Sequence, residues 1–180
     1  DDIKRVLLVG EGKHFCAGGD VKSLFLSEKS SKLKHDFFKT EYRLNYLISQ
    51  FSKEFLSIWN GVVMGGGVGL SLYGDHRLAT DNTKFAMPET AIGFFPDVGG
   101  SYFLSRISQG VGLYLGLTGQ IINAKELITF GLATHFQYSE NIEKTKLRFI
   151  NNGFLPSSQN IIDGPSKVLS NLNFIQDTFR

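Results

Sequence analysis

Apolar residues fall in short runs broken by glycine, alternating with stretches of helical spacing. KRVLLVG, residues 4–10, stops at Gly-Glu-Gly and reads as a buried strand. The glycine-bearing turn HFCAGGD follows, and Asp20 fits as N-cap of a helix over 21–26. SEKSSKLK, 27–34, is polar and reads as a mobile loop. Phe37, Phe38, Tyr42, Leu44, Leu47, Ile48 and Phe51 recur at helical spacing and predict a long helix. EFLSIWNGVV, 54–63, predicts a second strand, and MGGGVG leads into a short helix ended by Gly74. HRLAT and KFAMP read as strands around the turn Asp81-Asn82-Thr83. Helices are expected over 98–107, 110–117 and 124–130, the last capped by Asn123 and stopped by Gly131. Pro165 can open a terminal helix with Val168, Leu169, Leu172, Ile175 and Phe179 on one face. Strands alternating with helices make this an α/β chain with crossover connections, and no internal repeat is visible in the sequence.

Composition narrows the function classes. The 180 residues are 42% hydrophobic and 20% charged, ordinary for one domain with a real core. A net charge of +2 gives no reason to expect nucleic acid as a partner. One cysteine rules out an internal disulfide and suits a reducing, intracellular compartment. No apolar run is long enough to cross a bilayer, so no membrane partner is expected. DDIKRVLLVGEGK reads as the middle of a domain rather than as a signal or transit peptide.

Several familiar chemistries are absent. GEGKH fails as a phosphate loop because histidine follows the lysine, and neither glycine cluster completes G-x-G-x-x-G. There is no G-x-S-x-G and no H-E-x-x-H. His14, His35, His76 and His135 lack metal-ligand spacing, so surface or hydrogen-bonded core positions are expected for them and no metal site is expected.

Two glycine clusters remain, CAGGD and MGGGVG, each between an apolar strand and a helix. Glycine lets backbone N–H groups approach a ligand closely, and one N–H from each cluster can make an oxyanion hole. The alternative is close packing or tight turns. Glu89 and Asp97 lie in AMPETAIGFFPDVGG, each just after a proline in an otherwise apolar run. Both can border a partly buried site, where burial and mutual repulsion divide them into a base and an acid. Otherwise Asp97 is an N-cap and Glu89 a surface residue after a turn.

HFCAGGD, NGVVMGGGVGLS and FAMPETAIGFFPDVGGSYFLSR, in this order, resemble the crotonase (enoyl-CoA hydratase/isomerase) superfamily, and within it the 3-hydroxyisobutyryl-CoA hydrolases. The resemblance runs from about Ile3 to about Phe136, where GLATHF follows LTGQIINAKEL. It implies a superhelix of ββα units that binds acyl-CoA thioesters, with the amides of Gly19 and Gly66 as oxyanion donors. It divides the chain into an acyl-CoA core over 1–138 and a poorly matched helical segment over 139–180. Relatives continue this fold with earlier strands and further C-terminal helices, so the 180 residues alone are expected to turn over slowly. A homo-oligomer is open, and a mitochondrial setting follows from resemblance only.

The acids choose among reactions. Hydratases of this superfamily use two glutamates, one in the triple-glycine segment and one in the later PE motif. Here Gly69 stands at the first position, Glu89 at the second, and Asp97 where hydratases carry glycine. That pattern implies hydrolysis of a short-chain 3-hydroxyacyl-CoA to CoA and free acid, as in valine breakdown, with Glu89 and Asp97 catalytic. Glu41 matches a substrate-contacting glutamate of the family; the alternative is a solvated helix face. No metal or redox cofactor is required, since a thioester is already activated and CoA belongs to the substrate. The rival readings are an enoyl-CoA isomerase or hydratase and a catalytically silent acyl-CoA-binding subunit. Glu54, where relatives carry proline, departs from the pattern.

Overall fold

The computed structural model describes residues 2–28, 30–107, 110–157 and 164–179. Among these the strands are β1 (Arg5–Val9), β2 (Glu54–Trp59), β3 (Val62–Met64), β4 (His76–Ala79), β5 (Lys84–Ala86) and β6 (His135–Phe136). One parallel sheet has the order β1-β2-β4-β6, and a second, two-stranded parallel sheet pairs β3 with β5. The expected single strand over 54–63 is therefore two strands in different sheets. Gly61, at φ +71°, makes the corner, and a Cβ there would strike the Lys13 carbonyl.

The helices are α1 (Val21–Leu26), α2 (Leu33–Ser49), α3 (Gly66–Gly69), α4 (Gly100–Leu104), α5 (Val111–Thr118), α6 (Ala124–Thr129), α7 (Ile142–Asn152), α8 (Lys167–Ser170) and α9 (Leu172–Thr178). The chain gives a strand to the first sheet, a strand to the second, then a helix. β2, β3 and α3 form one such unit, and β4 and β5 begin the next. β1 followed by Cys16, which bridges Val63 in parallel, makes an earlier unit. The repeat lives in the backbone path. Its units share no residue pattern, because each buries a different set of neighbours.

β2 is buried on both faces, which is why it reads as a continuous apolar run. Leu56 and Ile58 meet Leu78 and Phe149, the latter on α7. Trp59 joins the larger core with Phe85, Leu127 and Phe136. Fully burying a side chain such as Phe149 contributes about 2–3 kcal/mol.

The terminal segment differs from expectation at its start. Ser166, not Pro165, leads the helix: its side chain accepts from the Leu169 amide, and Asn171 divides the run into α8 and α9. Val168 and Ile175 still enter the core as the spacing predicts. The polar stretch 27–34 ends in α2, which begins at Leu33, while Lys29 lies outside the described residues. Glu54 opens β2 and is held there: Arg5 Nε donates to its Oε2 at 2.6 Å and His76 Nε2 lies 3.3 Å from its Oε1.

Candidate active site

Three neighbouring strand ends build the site. Cys16 lies beside Val63, and Val63 beside Phe85, all parallel. Cys16 N–H donates to Val62 O and Met64 N–H to Cys16 O, both at 3.0 Å. The segments carrying Gly19, Gly66 and Glu89 thus leave the second sheet together, at the carboxyl ends of parallel strands, where α/β sheets open their crevices. A Cβ on Gly66 would fall 3.4 Å from the Gly19 nitrogen, and one on Gly18 3.6 Å from the Gly66 nitrogen. The two amides are neighbours, and among the described residues neither donates a backbone hydrogen bond. Gly66 opens α3, so its N–H has no partner within the helix. Gly18 at φ +107° and Gly65 at φ +52° take turns that a side chain would strain.

α2 closes the site with one stripe of side chains at i, i+4 and i+8. The Phe37 ring covers Gly19, where a Cβ would collide with it. Glu41 Oε1 would lie 2.5 Å from a Cβ on Gly66. Asn45 is buried, and with its amide nitrogen turned toward the backbone it donates to Gly69 O and Glu41 O at 3.1 and 3.3 Å. A Cβ on Gly69 would meet Val98 Cβ at 2.6 Å and the Asn45 amide at 2.9 Å. Position 69, which the sequence resemblance sets against a hydratase glutamate, therefore has no room here even for a methyl group.

Gly19, Gly66, Glu41, Glu89 and Asp97 all line one cavity of about 550 Å³, walled otherwise by Phe37, Phe38 and Phe94 among other apolar groups. Glu89 is only 8% exposed, and its Oε2 has no hydrogen-bond partner among the described residues. Burial pushes Glu89 up to about 7, opposed by its own backbone, with the charges of Asp97 and Glu41 adding to the rise. Burial and the Asp97 charge raise Glu41 to about 6. Asp97 is also raised by burial, against hydrogen bonds from Tyr42 and its own backbone. Near neutral pH Glu41 is therefore mostly ionised, while Glu89 is poised to gain or lose a proton.

The ordinary alternatives for these residues do not match their positions. Asp97 is not the N-cap of α4; Gly99 is, at φ +82°. Glu89 opens a 3₁₀ turn, Glu89–Ile92, and is itself buried although Ala91 and Ile92 are exposed. Glu41 is half-buried and faces the cavity. None of the four histidines lines it; His76 and His135 meet edge to face at 5.3 Å beside the first sheet. Among the described residues no group of three or more His, Cys, Asp or Glu is placed to hold a metal ion. No helix among them is long and apolar enough to cross a membrane.

Sequence reasoning missed Tyr42, Asn45 and Tyr73. Tyr42 OH donates to Asp97 Oδ2 at 2.8 Å, and Tyr73 OH donates to Val98 O at 2.9 Å. Val98 stands at φ +43°, a left-handed backbone unusual for a β-branched residue. Tyr42 could have been found as the residue one turn after Phe38 and next to Glu41. Tyr73 carries no sequence signal, since its partner is a carbonyl 25 residues away.

A profile of the enoyl-CoA hydratase/isomerase family matches residues 1–171. The chain is 52% identical over 136 residues to 3-hydroxyisobutyryl-CoA hydrolase 1 of Arabidopsis thaliana, covering 74% of this chain and 36% of that protein. It is 46% identical over 153 residues to the mitochondrial 3-hydroxyisobutyryl-CoA hydrolase of Xenopus tropicalis, covering 84% and 40%. Among solved structures, a carnitinyl-CoA dehydratase from Mycobacterium thermoresistibile superposes with a TM-score of 0.87 at 36% identity, over 98% of this chain and 53% of that one. An enoyl-CoA hydratase from Rhodobacter sphaeroides 2.4.1 gives 0.90 at 31% identity, with the same coverage. The chain thus spans well under half the length of the curated relatives it matches.

Proposed function

We propose that this chain, which belongs to the enoyl-CoA hydratase/isomerase family, carries the catalytic core of a hydrolase for short-chain 3-hydroxyacyl-CoA thioesters of the 3-hydroxyisobutyryl type. The observation that carries this reading is the pairing of Glu89 and Asp97 in the cavity that also holds the Gly19 and Gly66 amides, with Gly69 packed shut. The names of the relatives support the substrate class. Residues 1–138 supply the acyl-CoA core, and α7, α8 and α9 of the segment 139–180 buttress it.

In this reading the thioester carbonyl oxygen accepts hydrogen bonds from Gly19 and Gly66, which stabilise the oxyanion as charge develops. Glu89 as carboxylate serves by one of two routes through the same geometry. It attacks the carbonyl carbon, the C–S bond breaks, and the leaving thiolate takes up a proton from solvent, giving a mixed anhydride that water then opens to the free acid and the Glu89 carboxylate. Or it takes a proton from water, whose oxygen attacks the carbon; the C–S bond of the tetrahedral intermediate then breaks, and the proton held by Glu89 passes to the leaving thiolate. Hydroxylamine forms a glutamyl hydroxamate in the first route only. Asp97 orients the 3-hydroxyl or the water, or relays the proton that the leaving thiolate takes up, and Glu41 contacts the substrate. Two relatives named as mitochondrial support a mitochondrial setting, and the hydrolase reading implies a place in valine breakdown.

The test is thiol release from 3-hydroxyisobutyryl-CoA by the full-length chain, beside Glu89→Gln and Asp97→Asn. Release that either substitution abolishes is the expected result. No release, with crotonyl-CoA or a 3-enoyl-CoA transformed instead, moves the assignment to a hydratase or isomerase. Tight CoA binding without any turnover makes it a silent binding subunit.

A further inference from the structure

Asp97 lies on the half-exposed rim of the cavity, and something must hold its carboxylate in one direction. Its backbone is held by the turn: Gly100 N–H donates to Asp97 O at 2.6 Å, and Tyr73 secures the strained Val98 peptide. Its side chain is held by a different element. The Tyr42 hydroxyl reaches from α2 and donates to Oδ2 at 2.8 Å. The Tyr42 ring is itself aimed by an aromatic column that ties α2 to the 88–97 segment. Phe38 lies 5.8 Å from Tyr42 and stacks at 5.8 Å on Phe94, which stacks at 4.4 Å on Phe95. Tyr42 lines a second cavity, of about 540 Å³, with Asn45, Tyr73 and Tyr102, while Asp97 lines the first. The hydrogen bond is part of the wall between them.

We propose that Tyr42 is a positioning residue that holds the Asp97 carboxylate through one oxygen, leaves the other to substrate or water, and keeps it ionised beside Glu41 and Glu89. This rests on Asp97 acting on the substrate as described above. The groups facing Asp97 are Glu41 and Tyr42 on α2 and Glu89 across the cavity, which Lys34 of α2 also lines. Burial favours protonated Asp97, and the Tyr42 bond is the foremost opposing influence. A phenol is suited to this: burial and the Asp97 carboxylate raise Tyr42 well above its ordinary value, so it stays a donor at every working pH.

Tyr42→Phe in the full-length chain removes the hydroxyl and leaves the aromatic column. The Asp97 carboxyl ¹³C signal, assigned with Asp97→Asn, gives its titration midpoint. The expected result is a midpoint higher by about half to one pH unit and a kcat lower by about three- to tenfold, with KM within about twofold. Tyr46→Phe, exposed and one turn further along α2, should move neither. An unchanged midpoint, or an unchanged kcat in an active enzyme, overturns the proposal. If the unmodified chain releases no thiol, the hydrolase reading falls, and the titration alone decides whether Tyr42 governs Asp97.

Discussion

Two buried glutamates live under opposite conditions. Glu126 is 2% exposed and fully engaged: Oε1 accepts from Ser166 Oγ at 2.5 Å and Val168 N–H at 2.8 Å, and Oε2 from Asn123 N–H at 2.9 Å. It closes the capping box of α6 and fastens the terminal helices to the core. Glu89 is nearly as buried, but its Oε2 is without a partner among the described residues and it faces a cavity. A satisfied buried carboxylate stabilises the fold. An unsatisfied one costs stability and keeps its chemistry available for a ligand.

The largest effect separating the two should be on turnover. Glu89→Gln is expected to lower thiol release by about 10²- to 10⁴-fold, the usual range for losing a general base, with substrate binding retained. Glu126→Gln should leave the turnover of the folded enzyme unchanged. It should instead lower unfolding stability by about 2–3 kcal/mol, since its amide group points a donor at donors. Denaturant midpoints of the two variants, set beside their turnover numbers, test the division.

pH sharpens the contrast. The folded-state value of Glu89, about 7, lies above the ordinary 4.5, so the fold prefers the protonated acid. Its contribution is fully present below about pH 4.5 and is lost as pH rises to about 7, by about 3 kcal/mol in all. At pH 8 Glu89→Gln should therefore be more stable than the unmodified chain by a similar amount, and equal to it at pH 4. A variant no more stable at pH 8 would show that the carboxylate is well solvated in the cavity. Thiol release, needing the carboxylate, should run the other way and rise through about pH 7.

The smallest expected effect probes the closed position. Gly69→Ala pushes Val98 and Asn45 apart and should cost about 1–2 kcal/mol, with a loss of turnover through Asp97, the neighbour of Val98. Retained stability and turnover would mean that the α2 stripe yields easily.

Much of this was legible in the residues. Short apolar runs marked β1, β2, β4 and β5, but of these only β2 is buried along nearly its whole length; β1, expected to be buried, is half-buried with Val9 exposed. Asn123 and Asp20 marked helix starts because capping is local chemistry: each side chain accepts an amide three residues on. Four of the five candidate residues came from three motifs and Glu41 from its place on the expected long helix, and all five line one cavity. The corner at Gly61, the division at Asn171 and the two-residue β6 were not legible, since each is decided by what lies across from it.

By itself the sequence determined which groups are on hand: two glycine clusters free of side chains, two acids beside prolines, a glutamate on a helix. Composition and local spacing suffice for that, because they depend on residues a few positions apart. Only the tertiary structure decided their states. Parallel pairing of Cys16, Val63 and Phe85 brings three distant strand ends together, and α2 lays Phe37, Glu41 and Asn45 across them. Burial then raises Glu89, and a tyrosine 55 residues away holds Asp97. Proton affinity and direction depend on the dielectric and the partners around a side chain, and those exist only once the chain has folded.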